Sequence, residues 1–528
     1  MHAIFYNGAS FASKTIISEL RKHLGLSKMT LIDHQPPFSV DGVEIIQMDV
    51  EKIMYLDYPG GLTNCDALEP EMILSMAECE IQCMRMFDKA AKVGRRLVWQ
   101  RRRVKMGKPM FRELNTTETY DRRKHQYLSH LQFWNDYLDS NQVDALFLGT
   151  IPYAMWDYIL LVLCEKRSIP VVLFQHLLID GYSLPVTSLE GPHLELQETI
   201  ADIAREFDGR ENEILLSEPS EKFIEKHSNL TKDPHPEYYD MTLNEYTPMT
   251  WRTTYIYIKS LIKGFLVIEE EYSKKQWIEI ISLDYWLQFL KDRELKLLRQ
   301  YYDSHADFRI EDIPYIYVAL AYQPEVSTCP SGGVLVDQEL MVLMLAKAAP
   351  KGVTIAVKEH PGQKSLSRSL DFYELLQSIP NVRLVPRNLN TFRLIEGASA
   401  TATITGSIIM ESLFRETPVI AFGEHNSVYA PGVIRTRTKQ DVENAFNKVF
   451  KESFKPTPAG NRIFLSAIER LWYRCDNWGR RTDDLQKFSR LTHEENGVGL
   501  ARAFADVYQK IIRSRDKNIT SIYRTNNQ

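Results

Sequence analysis

Short apolar runs separated by helical segments are the feature that most constrains how this 528-residue chain can fold. Five such runs lie between residues 314 and 423: PYIYVALA, GVTIAVK, NVRLVP, SATATI and TPVIAFG. They show no strict alternation with polar residues, and helical segments that start near Asp337, Ser369, Thr391 and Ser407 separate them. This pattern is typical of a parallel sheet with helices on both faces, because the strands of such a sheet are buried on both sides.

The amino-terminal part shows the same pattern with fewer strands. HAIFYN precedes a glycine turn and the helical ASKTIISELRKHL, while VDALFLG precedes the helical PYAMWDYILLVLCEKR and then IPVVLFQH. We therefore predict an α/β protein with two Rossmann-like domains that face a cleft. Residues 1–310 would form the first domain, with polar helices at about 68–140 and an irregular helical extension from about 190. Residues 311–470 would form the second domain, and 471–528 C-terminal helices with a loose tail.

Composition narrows the class of protein. A hydrophobic content of 44% and a charged content of 25% are those of a soluble globular protein. A net charge of −5 gives no reason to expect nucleic acid as a partner. The start lacks the features of a secretory signal, and the longest apolar run is interrupted at Asp157 and Glu165. The six cysteines form no CxxC pair, so we expect reduced thiols in a cytoplasmic protein.

The end of the GVTIAVK strand carries basic side chains. Lys358 and His360 are two residues apart, which places them on the same side of a strand, and Pro361 then ends the strand. An ammonium group and an imidazole side by side suit a phosphate, because one supplies charge and the other a directed hydrogen bond. The alternative is an ordinary surface loop that leaves the strand.

The segment TITGSIIMESLFRE offers a second anion site. Thr405, Gly406 and Ser407 join a strand to a helix, where glycine allows close approach and the helix start favours negative charge. Glu411 lies one turn into the helix on the face of Ser407, where its carboxylate could accept hydrogen bonds from a ribose. The alternatives are that Ser407 only caps the helix and that Glu411 is an exposed helix residue.

The loop after PYIYVALA is the third strand end with polar groups. Gln323 and Glu325 flank Pro324 there, and Glu325 could hold a base or a sugar, or could be a hinge residue. Gly332 and Gly333 indicate a flexible loop over the cleft. The carboxyl ends of parallel strands share one edge of a sheet, so the three ends would form one site for a nucleotide sugar.

Absent motifs narrow the chemistry. No GxGxxG follows a strand and no GxxxxGK[ST] is present, so neither a dehydrogenase nor a P-loop is indicated. No Asp-x-Asp occurs, which argues against a metal-chelating glycosyltransferase with a single domain. A two-domain transferase needs no metal, because basic side chains and a helix start can neutralise a leaving phosphate. Lys358 and Arg387 are the further basic residues at these strand ends, and we expect no metal and no cofactor besides the sugar nucleotide.

Four motifs in order resemble the capsule polysaccharide biosynthesis family, which includes the Kdo transferases of capsule and lipopolysaccharide assembly: QPE…GG…DQ, VKEHPGQ…R, NVRLVPRN and TITGSIIMESLFRETPVIAFG. The resemblance covers about 314–435 and implies a GT-B fold, with the donor in the second domain and the acceptor in the first. The family's His-Pro pair corresponds to His360 and Pro361. Its Gln-x-Asp corresponds to Gln323 and Glu325 with their intervening proline, so glutamate replaces aspartate.

The resemblance also implies a donor and a reaction. Bacterial sialyltransferases of similar shape use a His-Pro pair and a later Ser or Thr on a CMP phosphate, so the implied donor is a CMP-activated acidic sugar such as Kdo. The chain would move this sugar to a glycan or glycolipid acceptor. A CDP-glycerol-type polyol-phosphate transferase and a non-catalytic, sugar-nucleotide-binding assembly partner are the alternatives.

The first domain would supply the catalytic group. FQHLLIDGYSLPVTSLE follows a strand end and offers His176, Asp180 and Glu190 as base or nucleophile. The alternatives are that Asp180 and Gly181 form a turn and that His176 is a loop histidine with structural hydrogen bonds.

A basic run, GRRLVWQRRRVKMGK, lies at 94–108. It is interpreted as a solvated helix face or loop, with contact to an anionic glycan, a lipid-linked acceptor or the inner membrane as the alternative. Its basic residues are Arg95, Arg96, Arg101, Arg102, Arg103, Lys105 and Lys108.

Overall fold

Two six-stranded sheets organise the part of the chain that the structure, a computed structural model, describes. The described residues are 1–6, 12–33, 36–54, 120–152, 155–229, 297–310, 313–323, 325–360, 363, 368–477 and 482–525. The strands of the first sheet are β1 (His2–Tyr6), β2 (Lys28–Asp33), β3 (Glu44–Asp49), β4 (Ala145–Leu148), β5 (Val171–His176) and β6 (Ser183–Val186). Those of the second are β7 (Tyr315–Ala319), β8 (Thr354–Lys358), β9 (Val382–Leu384), β10 (Ala400–Thr403), β11 (Val419–Ala421) and β12 (Val433–Arg435).

Both sheets have the strand order of a Rossmann fold. The first runs β3-β2-β1-β4-β5-β6 and the second β12-β11-β10-β7-β8-β9, so each begins at its centre, winds to one edge and returns to the other. Every pair is parallel except β5 and β6, which form an antiparallel hairpin. The predicted fold class, an α/β protein with two Rossmann-like domains, is therefore confirmed.

Helices cover both sheets. Those before β7 are α1 (Ser13–Leu24), α2 (Val50–Met54), α3 (Tyr120–Ser140), α4 (Trp156–Lys166), α5 (Leu194–Glu206) and α6 (Glu218–Ser228), and residues 297–305 are also helical. Those after β7 are α7 (Gln338–Ala348), α8 (Leu370–Ser378), α9 (Thr391–Gly397), α10 (Ile408–Leu413), α11 (Lys439–Phe450), α12 (Pro458–Leu471), α13 (Thr482–Asp484) and α14 (His493–Thr525). Short 3-10 segments lie at Glu211–Glu213, Gly333–Val336 and Asn426–Tyr429, and a π-helical turn at Leu485–Ser489.

Local sequence explains where several helices begin and end. Thr438 and Asp441 form a reciprocal capping box at the start of α11, and Asn390 accepts two main-chain N–H groups at the start of α9. Gly25 ends α1 in the left-handed region at φ 64°, which glycine adopts without strain. These signals fix the helix ends, while the apolar strands between them fix the layers.

One hydrophobic core joins the two domains. Apolar residues of β4 and β5 share a buried cluster with residues of α10, β11 and α12 from the carboxyl-terminal half. Large apolar interfaces resist relative domain motion, so this shared core holds the two sheets in one arrangement.

The chain returns to the first domain after α12. Tyr473 pairs with Ser183 of β6 as an isolated antiparallel bridge. The ring of Phe504 in α14 packs against Phe5, Phe147 and Phe174 of the first sheet, with centroids 4.9–5.8 Å apart. The predicted domain boundaries at 310 and 470 stay predictions, but much of the segment beyond 470 completes the core of the first domain.

The predictions for the basic run at 94–108 and for Pro361 lie outside the described residues, as do the predicted polar helices at about 68–119 and the part of the predicted helical extension at 230–296. Among the residues that are described, no helix is long and apolar enough to cross a membrane. The predicted cytoplasmic location stays a prediction.

Candidate functional site

The second sheet reverses its winding between β7 and β10, and open α/β sheets bind ligands at this switch point. β8 lies directly beside β7, so three carboxyl ends border one crevice, which we call the switch-point crevice. Glu325 follows β7, His360 follows β8, and Thr405–Ser407 follow β10. The ends of β9 and β10 lie three strands apart, about 14 Å at a spacing of about 4.8 Å, so Arg387 lies farther off.

His360 lies half-buried at the edge of the crevice. Its ring makes an edge contact with Tyr322, with centroids 5.6 Å apart, and its main-chain N–H donates to Glu359 Oε1 at 2.7 Å. Glu359 itself is buried, and it accepts from Arg368 at 2.5 Å and from the Tyr373 hydroxyl at 2.7 Å. The turn that carries His360 is therefore anchored to the protein interior through its neighbour.

The segment after β10 divides its polar groups between structure and surface. The Thr405 hydroxyl is buried and donates to the Ser327 carbonyl at 2.6 Å. Ser407 is exposed and donates to Glu411 Oε1 at 3.0 Å, so it does not cap α10 through its side chain. Glu411 is 5% exposed, not the exposed residue that a structural role alone would predict. Gly406, between Thr405 and Ser407, is half-buried. The helix that follows, α10, is only six residues long.

Glu325 combines solvent exposure with a perturbed carboxyl group. The residue is exposed, and the Ser327 hydroxyl donates to its Oε2 at 2.7 Å. The protein around it raises the pKa of Glu325 by desolvation, while the Ser327 hydrogen bond opposes that effect. A carboxyl group that reaches solvent yet is surrounded by protein is what the floor of a crevice would present.

Gln323 is a structural residue of the same loop. It is 1% exposed, and its main chain exchanges two hydrogen bonds of 2.9 Å with the side chain of Gln363. Its own amide donates to the Val336 carbonyl at 2.5 Å, and Arg368 donates to its Oε1 at 3.4 Å. Donor contact by Gln323 stays a prediction, but its polar atoms hold the loop after β7 to the turn after β8.

The two further basic residues are engaged within the protein, which corrects the prediction of spare positive charge. Lys358 is 2% exposed, and its ammonium donates at 2.7 Å to both the Leu389 carbonyl and the Thr391 hydroxyl. Its side chain is drawn below the surface because the loop after β9 and the first residue of α9 offer these acceptors. Arg387 makes a two-pronged ion pair with Asp303, at 2.8 and 2.5 Å.

A second group of polar residues joins the carboxyl ends of β5 and β11. The buried side chain of Gln175 accepts from the Asn426 main-chain N–H at 2.8 Å and contacts His193 Nε2 at 3.1 Å. Asn426 donates to the His176 carbonyl at 3.4 Å. We call this group, with Glu424, the interdomain junction.

Glu424 is the charged centre of the junction. It is 3% exposed, and its carboxylate accepts from Arg435 at 2.9 Å, from Arg437 at 2.5 Å and from the Tyr429 hydroxyl. His193 Nε2 of the first domain lies 3.9 Å from Glu424 Oε1, and the His193 main-chain N–H donates to the Tyr429 hydroxyl oxygen at 3.1 Å. Burial lowers the pKa of His193 against the opposing effect of Glu424, which favours the neutral ring.

His425 is locked as a neutral ring in the same junction. Burial, with smaller effects from His176 and His193, lowers its pKa to about 4. Its Nδ1 accepts from the Ser427 main-chain N–H at 3.3 Å, which caps the short helix at Asn426–Tyr429. The ring therefore serves the docking of this loop onto β5.

The structure separates the three catalytic candidates of the first domain. His176 ends β5, is half-buried and lies 3.3 Å from Asn477 Oδ1 through its Nδ1. Asp180 is exposed in the hairpin loop between β5 and β6, where Gly181 has φ 78°. Glu190 is exposed beyond β6, which runs opposite to β5, so it does not follow the carboxyl edge of the sheet as expected. Its carbonyl accepts from Arg437 at 3.3 Å.

Sequence reasoning missed Glu424, His425 and Asn477. The first two directly follow the predicted strand TPVIAFG, so the rule of strand ends would have found them. Asn477 carries no such signal, because it reaches His176 only through the return of the chain after α12. Within the described ranges no group of three or more His, Cys, Asp or Glu residues could hold a metal ion.

Comparison with known proteins supports one of the sequence predictions directly. Residues 326–455 match the model of a family described as "Capsule polysaccharide biosynthesis protein". The match confirms the resemblance predicted from the motifs and covers about a quarter of the chain. No curated protein matches the sequence.

Solved structures similar to this chain include two epimerases and a transferase. UDP-GlcNAc 2-epimerase from Methanocaldococcus jannaschii is 12% identical over 89% of this chain and 98% of its own, with a TM-score of 0.24. KpsC from Thermosulfurimonas dismutans, a beta Kdo 2,7 transferase, is 12% identical over 72% and 89%, with a TM-score of 0.29. UDP-GlcNAc 2-epimerase from Neisseria meningitidis is 13% identical over 97% and 99%, with a TM-score of 0.21. At such TM-scores the function must be argued from the chain itself.

Proposed function

We propose that this protein is a metal-independent glycosyltransferase of bacterial capsule or surface polysaccharide assembly. Its donor is a CMP-activated acidic sugar such as Kdo, and its acceptor is a glycan or glycolipid. The second domain binds the donor, and the first domain presents the acceptor and the catalytic group.

One observation carries the proposal. The segment that matches the capsule family includes β8 and β10, and two of the strand ends at the switch-point crevice keep polar side chains at the surface. Ser407 and Glu325 are exposed there, and His360 is half-buried. A hydroxyl and an imidazole suit a phosphate, while a carboxylate suits sugar or ribose hydroxyl groups.

The charge of the crevice favours one phosphate over two. Lys358 and Arg387 direct their side chains to groups of the protein, so neither is placed to donate a hydrogen bond to a second phosphate at the crevice. A UDP- or GDP-sugar leaves a diphosphate, which calls for more basic groups or a longer glycine-rich loop. A CMP-sugar leaves a single phosphate, for which His360 and the segment 405–407 suffice.

The catalytic assignment rests on position. His176 lies at the carboxyl edge of the first sheet and close to the interdomain junction, so we place it nearest the reacting groups. Asp180 and Glu190 remain candidates, because both carboxylates reach solvent. An alanine variant of the true catalytic residue should bind donor normally and lose turnover by about 100-fold or more.

Thermal unfolding with a panel of nucleotides tests the donor. A ligand that binds only the native state raises stability by RT ln(1 + [L]/Kd), about 2.7 kcal/mol at a hundredfold excess over Kd. CMP and CTP should therefore raise the melting temperature more than UDP and GDP at equal concentration. A larger shift with UDP or GDP would overturn the acidic-sugar donor while leaving glycosyl transfer open.

Product analysis tests the reaction. The proposal expects a product that gains a sugar and no phosphate from a CMP-sugar. Transfer of phosphate together with a polyol would identify a polyol-phosphate transferase instead. Donor binding without turnover of any sugar nucleotide, across a panel of glycan and lipid acceptors, would identify a non-catalytic assembly partner.

A further inference from the structure

The carboxamide of Asn477 lies between His176 and Ser183, far from both in sequence. Its Oδ1 is 3.3 Å from His176 Nδ1 and 3.0 Å from the Ser183 hydroxyl oxygen. Asn477 is 6% exposed and Ser183 is fully buried, so water does not compensate these groups. The residue therefore borders a catalytic candidate from inside the protein.

With Oδ1 facing His176 and Ser183, the hydrogen-bond donors and acceptors of this group are not matched. Ser183 has one hydroxyl proton, and two acceptors lie 3.0 Å from its oxygen, the Cys475 carbonyl and Asn477 Oδ1. Meanwhile the buried Nδ2 of Asn477, which carries two N–H groups, has no hydrogen-bond partner among the described residues. The single Ser183 hydroxyl proton is thus shared between two acceptors, while the two Asn477 Nδ2 protons have no acceptor among the described residues.

A half-turn of the carboxamide about χ2 resolves both conflicts. Nδ2 then donates one N–H to the Ser183 oxygen and the other to His176 Nδ1. Ser183 donates its proton to the Cys475 carbonyl, which is a fixed acceptor. After the half-turn one buried oxygen lacks a donor among the described residues, whereas before it two buried N–H groups lacked an acceptor. The orientation of an amide is assigned from its hydrogen-bond network, which favours the rotated form.

We infer that Asn477 is a positioning residue that fixes the tautomer of His176, with the ring proton on Nε2. The inference rests on the proposed function, because it concerns the part that His176 plays there. A ring whose Nδ1 accepts from Asn477 cannot use that nitrogen as a base. Its Nε2–H is a hydrogen-bond donor, and it suits an anionic oxygen such as the carboxylate of an acidic sugar, a group that CMP alone lacks.

Two residues of the second domain act on His176. One is His425, whose own ring is neutral because burial lowers its pKa to about 4. Asn426 donates to the His176 carbonyl and holds the main chain of β5 in place. The role of base then falls to another group, with Asp180 and Glu190 as the carboxylates named above.

Nitrogen-15 NMR of histidine side chains in the full-length protein tests the tautomer. The His176 signal is assigned as the one missing from His176→Gln. Wild type should show the proton on Nε2, and a proton on Nδ1 would overturn the inference. Asn477→Asp presents acceptors only, so it should move the proton to Nδ1 or charge the ring.

Kinetics separate the tautomer from the proposed function. Asn477→Asp should lower kcat about tenfold or more while CMP affinity stays within about twofold. The matched control is Asn381→Asp, which changes a half-buried asparagine whose side chain donates to the Ala346 carbonyl. Full turnover in Asn477→Asp, despite a reversed tautomer, would overturn the inference. Full turnover in His176→Gln would instead remove His176 from the proposed function, whatever its tautomer.

Discussion

Two stretches of the same sheet edge use similar side chains in opposite ways. At the switch-point crevice, Ser407 and Glu325 are exposed, and each has one short hydrogen bond to a near neighbour in sequence. At the interdomain junction, Glu424 is buried and has Arg435, Arg437 and a tyrosine around it. Both stretches follow parallel strands of one sheet, so strand geometry alone does not distinguish them.

The difference lies in what covers each stretch. The first domain packs over the ends of β11 and β12, with Gly191 so close that a Cβ there would lie 2.7 Å from Glu424 Oε1. Polar groups under such a cover must find partners within the protein, because unpaired buried charge is costly. At the crevice Ser407 and Glu325 are exposed, so the same kinds of group stay available to a ligand. Burial therefore separates docking residues from candidate binding residues along one edge.

Loss of the buried carboxylate is the largest expected effect. Glu424→Ala leaves Arg435 and Arg437 without their shared anion and leaves the Tyr429 hydroxyl without its acceptor. Removing one partner of a buried ion pair costs about 3–5 kcal/mol, although the partial exposure of both arginines places the loss near the lower figure. Urea unfolding measures the change in the free energy of unfolding.

The matched control is Glu443→Ala on α11. Glu443 pairs with Lys439 at 3.2 Å, and both side chains are exposed, so its loss should change stability by less than about 1 kcal/mol. Equal effects of the two substitutions would show that the junction does not hold the domains together. The comparison between the two stretches would then fail.

The sequence predicted the fold better than the site for physical reasons. Central strands such as β5 are apolar on both faces, which makes them visible as runs. β3 was missed because it is an edge strand with partly exposed residues throughout, and β6 because it contains Pro185. β12 was missed because it is a short edge strand whose first and last residues are not buried.

For the site, the sequence predicted which residues follow the strand ends and little more. A strand end fixes where a side chain begins, so His360 and Ser407 were placed at the correct edge. It does not fix whether a loop lies above, and the Leu389 carbonyl turns Lys358 inward. Contacts between residues hundreds of positions apart, such as His176 with Asn477, have no local signal at all.

Acid should weaken the junction through its neutral histidines. The pKa of His425 is lowered to about 4, while an unfolded histidine titrates near its ordinary 6.5. Unfolding therefore takes up a proton as the pH falls below 6.5, and the stabilisation present above 6.5 is lost down to about pH 4. The full loss is about 3 kcal/mol at most.

Urea unfolding of wild type and His425→Gln between pH 7.5 and 4, a range chosen as roughly spanning both pKa values, isolates this residue. The variant should lose less stability over the range, because glutamine does not titrate. His227→Gln is a positive control outside the junction. Burial lowers the pKa of His227 to about 4 as well, so this variant should also lose less stability than wild type over the range. Identical pH slopes in wild type and His425→Gln would contradict a neutral His425.

Substitution at the crevice should affect binding and spare the fold. His360→Ala and Ser407→Ala each remove a group that we place on the donor phosphate, at a cost of about 1.5–3 kcal/mol in affinity. Both residues reach the surface, so the free energy of unfolding should change little. Titration calorimetry with CMP measures the affinity.

Exposed residues of the same types serve as controls. Ser378→Ala and His305→Ala remove side chains whose hydrogen bonds are to near neighbours on their own helices, so CMP affinity should not change. If His360→Ala and Ser407→Ala also bind CMP as wild type does, the switch-point crevice is not the donor site. Buried and exposed strand ends would then not differ in function.

Removal of divalent ions by a chelator should have the smallest effect on turnover. Unchanged turnover would sharpen the contrast between the two stretches. A divalent ion at the crevice would need several oxygen ligands, yet Glu325 is bonded to Ser327 and Glu411 to Ser407. The sequence also lacks an Asp-x-Asp motif. We therefore expect turnover of the CMP-sugar to be unchanged after dialysis against EDTA, measured in the same assay with and without added magnesium. An absolute requirement for the ion would mean that carboxylates at the exposed ends bind metal and not sugar hydroxyl groups, and the leaving phosphate would then be neutralised by that ion in place of His360.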